Sequence, residues 1–289
     1  MGGCSSKESA LITHKVPTTC DYYSLQSAQC LDRKHFLESV EHYDVIFVGD
    51  HHHSANAHKV MVELINGLSD AGYGVSVANE WFTPQENSLL QQYVDGKLDS
   101  NTSKALAWKK RAGYDFNLSE PIYSAVTAHG GKLYGINMDK AFKKMVSDQN
   151  ISAMSSEQRE FYDSLDLNVS PHKQLLEPFF GHCHRTRKGE TPQQCSERMY
   201  RVQVAWDSMM GQESAKLAEK LKENEKLIVF IGAMHLESGL GANLRFARES
   251  NKPFITILPV PKDVKLEKEI EADVGSSELI YLYEEALEE

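Results

Sequence analysis

Short runs rich in β-branched and aromatic residues alternate along the chain with segments whose apolar positions recur at helical spacing. That alternation predicts an α/β fold, a parallel β-sheet flanked by helices. The predicted strands are "YDVIFVGD" (43–50), "GVSVANE" (74–80), "KLYGINM" (132–138), "KLIVFIGAMH" (226–235), "PFITIL" (253–258) and "ELIYLYE" (278–284). Between the first two, Ala57, Val60, Met61, Leu64, Ile65 and Leu68 make one apolar stripe behind Ser54 as N-cap, which completes a βαβ unit. After the second strand, Thr83 caps a further helix, with Pro84 at its first position, Glu86 closing a capping box and Gly96 as the stop.

From residue 140 to 223 the strand pattern disappears. "SSEQREFYDSL" and "SERMYRVQVAWDSMMGQESAKLAEKLKEN" are helical, separated by the loop-like "FFGHCHRTRKGETPQQC". The chain is therefore expected to hold an N-terminal extension (1–40), a sheet domain (41–139 and 224–289) and an inserted helical subdomain (140–223).

Composition narrows the partners. The net charge is −10, which excludes nucleic acid as a natural ligand, because phosphate binding needs clustered Lys and Arg. The acidic excess collects in "KLEKEIEADVGSSELIYLYEEALEE", read as a largely solvated tail. No apolar run approaches the roughly 20 residues of a spanning helix. The opening "MGGCSSKES" is similar to a bacterial lipoprotein cleavage site, with Cys4 as the native, lipid-bearing first residue and Met1 a start codon. The Ser after that Cys points to the outer membrane, facing the periplasm. The remaining cysteines fall into two close pairs, Cys20 with Cys30 and Cys183 with Cys195, which suits an oxidising compartment.

Ligands of open parallel sheets bind outside the carboxyl ends of the strands. The unusual residues of this chain stand there: Asp50, His51, His52 and His53 after the first strand, Asn79 and Glu80 after the second, Asn137 after the third, His235 after the fourth. His58, about one turn into the next helix, can look back at the same rim. Four separate runs thus deliver polar or ionisable groups to one edge. In the helical segment Tyr200, Gln203, Asp207 and Met210 share one helix face, which reads either as a stripe meeting something polar or as an exposed face. The loop "GHCHRTRKG" adds a basic island of His182, His184, Arg185, Arg187 and Lys188, suited to carboxylates.

These motifs resemble the ChaN family of haem-binding bacterial lipoproteins, within a wider group that includes the Tiki metalloproteases and erythromycin esterases. The matching pieces are "GDHH" (49–52), Glu80 in "NEWF", Asn137 in "GINM", Gln203, Trp206, Asp207 and Met210 in "VQVAWDSMM", and His235 in "GAMH". One departs from the group's pattern: Asp50 stands where a Glu is usual, and its shorter reach favours binding over catalysis. The resemblance implies haem held near a homodimer interface with a Tyr on the iron, and Tyr200 is the first choice, followed by Tyr114 and Tyr123. The 182–188 loop is then the expected propionate site. On this reading the chain is a non-enzymatic haem carrier at the outer membrane that assists iron acquisition, with a haem receptor as a candidate partner. The alternative is a Tiki-like hydrolase holding a divalent ion between His52, His58, Glu80 and His235.

Overall fold

The computed structural model describes residues 11–98, 104, 106–181, 183, 186–262, 267–273 and 278–285. In chain order the strands are β1 (Leu11–Pro17), β2 (Tyr22–Ser24), β3 (Gln29–Leu31), β4 (Val45–Asp50), β5 (Gly74–Asn79), β6 (Leu133–Gly135), β7 (Glu225–Gly232), β8 (Phe254–Pro261), β9 (Glu267–Asp273) and β10 (Glu278–Tyr283). The α-helices are α1 (Arg33–Val40), α2 (Ala55–Asp70), α3 (Asn87–Val94), α4 (Trp108–Ala112), α5 (Glu120–Ala128), α6 (Lys140–Asp148), α7 (Ser156–Asp163), α8 (Ser170–Phe180), α9 (Pro192–Ala218) and α10 (Ala242–Glu249).

Eight strands form one sheet in the order β3-β2-β10-β8-β4-β7-β5-β6, and β1 pairs with β9 in a separate antiparallel ribbon. From β10 to β6 every pairing in the large sheet is parallel, whereas β2 and β3 add an antiparallel edge. The α/β fold of a parallel sheet flanked by helices is therefore present. β4 is buried at all six positions, as a strand covered on both faces must be. Ile46 and Val48 pack with the α2 stripe, while Val45 and Phe47 face Met210, Ala215 and Phe246 from α9 and α10 on the other side. Each of Val60, Met61, Leu64, Ile65 and Leu68 is fully buried or nearly so, contributing about 1.5–3 kcal/mol apiece. The sheet, more than helix propensity, therefore holds α2 in place.

Both sequence-level helix starts are present. Ser54 Oγ accepts from Ala57 N at 3.1 Å, and Thr83 and Glu86 form the capping box, although its first turn is a 3₁₀ turn running into α3. Cys20–Cys30 and Cys183–Cys195 are bonded, with Cα atoms 5.7 and 5.8 Å apart. The acidic tail differs from its expected solvation: Leu279 through Tyr283 are buried, because β10 is inserted between β8 and β2 instead of lying outside the sheet. Among the described residues no helix is long and apolar enough to cross a membrane.

α9 crosses α10 at Gly211, where a Cβ would lie 2.6 Å from Ala242 O and 2.7 Å from Arg245 Cβ. Gly211→Ala is expected to destabilise the fold by about 1–3 kcal/mol through overpacking, read as a lower urea midpoint at constant slope. An unchanged midpoint would mean that the helices can separate without cost.

Candidate functional site

β4, β5 and β7 run side by side, so their carboxyl ends deliver Asp50, Glu80 and the turn holding His235 to one rim. β7 stops at Gly232, three residues earlier than the sequence pattern implied, and a 3₁₀ turn over Ala233–His235 brings the imidazole back over the sheet edge. Glu80 fixes that break, since its Oε1 accepts from Gly232 N at 2.7 Å.

Asp50 is the hub of the rim and is 4% exposed. Its Oδ2 meets His52 Nδ1 at 2.6 Å and its Oδ1 meets His58 Nε2 at 2.6 Å. His58 Nδ1 donates to the Leu118 carbonyl at 2.8 Å. Burial opposes the Asp50 anion, but the two imidazoles outweigh it and hold the carboxyl below its usual range. Burial likewise lowers His52, and Asp50 and Glu80 together overcome it and raise the imidazole. Of the remaining histidines, His51 Nδ1 lies 2.6 Å from the Tyr283 hydroxyl and His53 packs edge-on to Tyr114. The shorter Asp50 side chain thus still engages two partners.

A second carboxylate–imidazole pair faces the first. His235 Nδ1 donates to Asp207 Oδ1 at 2.5 Å, with Gln203 Nε2 2.8 Å from the same nitrogen. Burial lowers His235, but Asp207 and then Glu80 raise it further. His52 Nε2 lies 3.8 Å from Glu80 Oε1 and His235 Nε2 3.7 Å from Glu80 Oε2, both beyond hydrogen-bond reach. The Gln203–Asp207 stripe is therefore buried and polar-facing, not exposed.

Above these groups opens a cleft of about 790 Å³ with Trp81 and Trp206 on its walls and Lys110, Arg111, Lys140 and Lys143 along its side. That volume sits within the roughly 300–1,000 Å³ of small-molecule sites. Arg111 is committed to Glu86 through both of its terminal nitrogens, and Lys143 Nζ lies 5.4 Å from the Trp206 ring centre. A larger cavity of about 1060 Å³ lies between α2 and the Cys20–Cys30 hairpin, but of the rim residues it touches only His58, so the smaller cleft is the candidate site.

The expected site residues separate into groups. His52, Glu80 and His235 line the cleft, while His58, Gln203 and Asp207 stand directly behind them. Asp50, His52 and Glu80 each offer a donor atom within 4.8 Å of the others, an arrangement open to a divalent ion. Met210 is core, packed against the sheet. None of the three tyrosines is among the cleft-lining residues. Tyr114 stacks on the His52 ring and bonds Ser119 Oγ at 3.1 Å, and burial, with Asp50 adding to it, pushes its phenol up strongly. Tyr123 is fully buried, its hydroxyl unpartnered among the described residues. Tyr200, on α9, faces the start of α8, its hydroxyl 3.5 Å from both Val169 O and His172 Nδ1, and burial is the main cause of a phenol pushed up to about 12. Arg187 is tied to Asp148 at 2.6 Å and Ser147 at 2.9 Å, while His182, His184 and Arg185 lie outside the described residues.

Sequence reading missed the cationic wall and Trp81. The signal was available in "WKKRAG" and "DKAFKK", two basic runs in an acidic chain, but only the fold brings them to one side of the cleft.

The family described as "Haem-binding uptake, Tiki superfamily, ChaN" matches residues 36–246. No curated protein matches the chain. Among solved structures, ChaN of Campylobacter jejuni, described with cofacial haem binding, superposes with a TM-score of 0.66 at 16% identity, covering 93% of this chain and 96% of that one. At that identity the likeness shows the fold. The type III effector HopBA1 (TM-score 0.48, 16% identity, 88% and 94% covered) and an erythromycin esterase, EreC (0.48, 12%, 91% and 83%), are more distant, and nothing is argued from them.

Proposed function

This chain belongs to the haem-binding uptake family ChaN of the Tiki superfamily, and from that premise we propose that it binds haem in the cleft above β4, β5 and β7, with His52 as the iron donor. The observation that carries the reading is the donor set. His52 Nδ1 is held by a buried carboxylate while Nε2, on the cleft side, makes no hydrogen bond among the described residues, which is how a carboxylate-backed imidazole is prepared for a metal. The side chain is 40% exposed, open enough for a planar macrocycle to reach. Trp81 and Trp206 supply aromatic cover, and Lys110, Lys140 and Lys143 supply cations for propionates. When bound, haem would contribute an iron centre with its own ligand and redox chemistry; the chain's part is to hold the imidazole, shield the faces and neutralise the carboxylates.

The proposal moves the iron donor from Tyr200, the residue favoured by resemblance, to His52. A phenol raised to about 12 and facing the start of α8 is a poor anionic ligand in a single chain. In its wider setting the protein is a carrier without turnover of its own, lipid-anchored at Cys4, facing the periplasm, dimeric, and handing haem to a receptor during iron acquisition. The "GGCSS" motif and the two disulfides support the compartment, although Cys4 lies outside the described residues.

Haemin titration followed by visible absorption tests the donor. His52→Ala is expected to weaken binding at least tenfold and change the ligand band, while Tyr200→Phe leaves both as in the wild type. The reverse pattern would restore the tyrosinate. A second reading, a divalent-metal hydrolase, is favoured by the Asp50, His52 and Glu80 donors alone. Metal analysis of protein purified without chelators separates it from the first.

A further inference from the structure

Behind the Asp207–His235 pair lies a group of buried residues that the haem reading does not use. His172, on α8, is fully buried, and so is Asp207. His172 Nε2 and Asp207 Oδ2 lie 3.4 Å apart, an ion-pair distance, and neither atom makes a hydrogen bond among the described residues. On the other side of the ring, His172 Nδ1 faces the Arg245 Nη2 donor at 3.3 Å and the Tyr200 hydroxyl, which is also within reach of the Val169 carbonyl, at 3.5 Å. Arg245, on α10, is itself anchored through Nη1 to the carbonyls of Leu240 and Gly241. A buried cation and a buried carboxylate are thus separated by one imidazole.

We infer that His172 and Arg245 are positioning residues for His235: the chain Arg245–His172–Asp207 fixes the His235 proton on Nδ1 and leaves Nε2 as a nitrogen donor to the cleft. The argument follows the hydrogens. Arg245 can only donate, so His172 Nδ1 accepts, and in the neutral ring the proton sits on Nε2, on the side of Asp207. Burial first, and the Arg245 charge with it, push His172 down to about 4, which keeps it neutral at ordinary pH. Asp207 then accepts a hydrogen bond from His235 at Oδ1 and has the His172 Nε2–H 3.4 Å from Oδ2, an electrostatic contact without a hydrogen bond. Its second contact is made by a neutral ring and not by a guanidinium, so its charge stays directed at His235. His235 Nε2 is left facing Glu80 Oε2 across the cleft, the mirror of His52 Nε2 on the other oxygen.

Removing the His172 ring would allow the Arg245 guanidinium to meet Asp207 directly, turning the carboxylate away from His235. The consequence for haem rests on the reading above, since it assumes that haem occupies the cleft; the proton positions do not. Nitrogen-15 spectra of histidine-labelled, ligand-free protein test the positions without any cofactor. In the wild type, His172 is expected to carry its proton on Nε2 and His235 on Nδ1. His172→Leu should convert His235 to a mixture of tautomers, and His172→Gln, whose amide can still donate to Asp207, should restore the single form. Haemin affinity should follow the same order, falling about tenfold in His172→Leu and recovering in His172→Gln. A wild-type His172 protonated on Nδ1, or a folded His172→Leu protein with an unaltered His235, would overturn the inference. Should His172→Leu fail to fold, the wild-type spectrum and His172→Gln still decide it. Absence of haemin binding in the wild type, with the expected tautomers present, would count against the haem reading alone.

Discussion

Asp50→Ala is expected to lower folding stability by about 3–5 kcal/mol, the cost of removing one partner from a buried charged cluster. The size follows from what Asp50 serves. Both carboxylate oxygens are occupied at 2.6 Å, one by His52 and one by His58, and His58 is enclosed so that its other nitrogen can reach only the Leu118 carbonyl. Without the carboxylate, His58 Nε2 is left without that partner in the core between α2 and β7, where its ring packs on Phe230. Asp50→Asn keeps the volume and one acceptor, and should lose less than the alanine variant. Urea unfolding of the two variants measures this. A loss below about 1 kcal/mol in Asp50→Ala, at an unchanged slope, would show that the imidazoles hold themselves in place.

Between pH 6.5 and about 4 the wild type is expected to lose about 3 kcal/mol that His172→Gln keeps. The unfolded chain binds a proton at this residue below its ordinary value of 6.5, whereas the folded protein resists protonation down to about 4, so acid favours the unfolded state. The other rim groups act in different windows. His52 and His235 are raised, so the stability they add is fully present below 6.5 and is lost only as pH rises through their folded values. Asp50 is lowered, so its contribution is present above its ordinary 3.8 and is lost only as acid reaches its folded value. All three are common to both proteins and cancel in the comparison. Parallel curves of stability against pH for the two proteins would mean that His172 is protonated in the fold.

Most of the predicted strands could be read because they are apolar runs covered on both faces, as β4 illustrates with six buried positions in a row, while the three-residue β6 was legible only within the longer run 132–138. β2 and β3 were missed for the opposite reason: at three residues each they are too short for any period to register, and their place is set by β10. β9 was hidden in a charged segment, where pairing with β1 and not hydrophobicity selects the strand. At the site, strand ends were legible because topology sends them to one rim. His172 and Arg245 were not, since a lone histidine and a lone arginine on separate helices carry no spacing signal, and only the crossing of α9 with α8 and α10 brings them to Asp207. Asp50 was read as a weakened glutamate; its geometry, with one imidazole on each oxygen, depends on where α2 starts and is invisible in a motif.

The position of β10 has a consequence for the order in which the protein can assemble. Tyr22, Tyr23 and Ser24 pair with Tyr281, Ile280 and Leu279, so the edge hairpin and its disulfide attach to the sheet through a strand more than two hundred residues away. Joining such distant segments carries a loop-closure entropy that grows with the logarithm of the separation, and it slows folding relative to local pairings. While residues 278–283 are still being synthesised, β8 therefore presents an open parallel edge, and the hairpin waits with its tyrosines unburied. A chaperone would meet the chain in that state, with the cleft's strands β4, β5 and β7 able to associate before the far edge of the sheet is sealed.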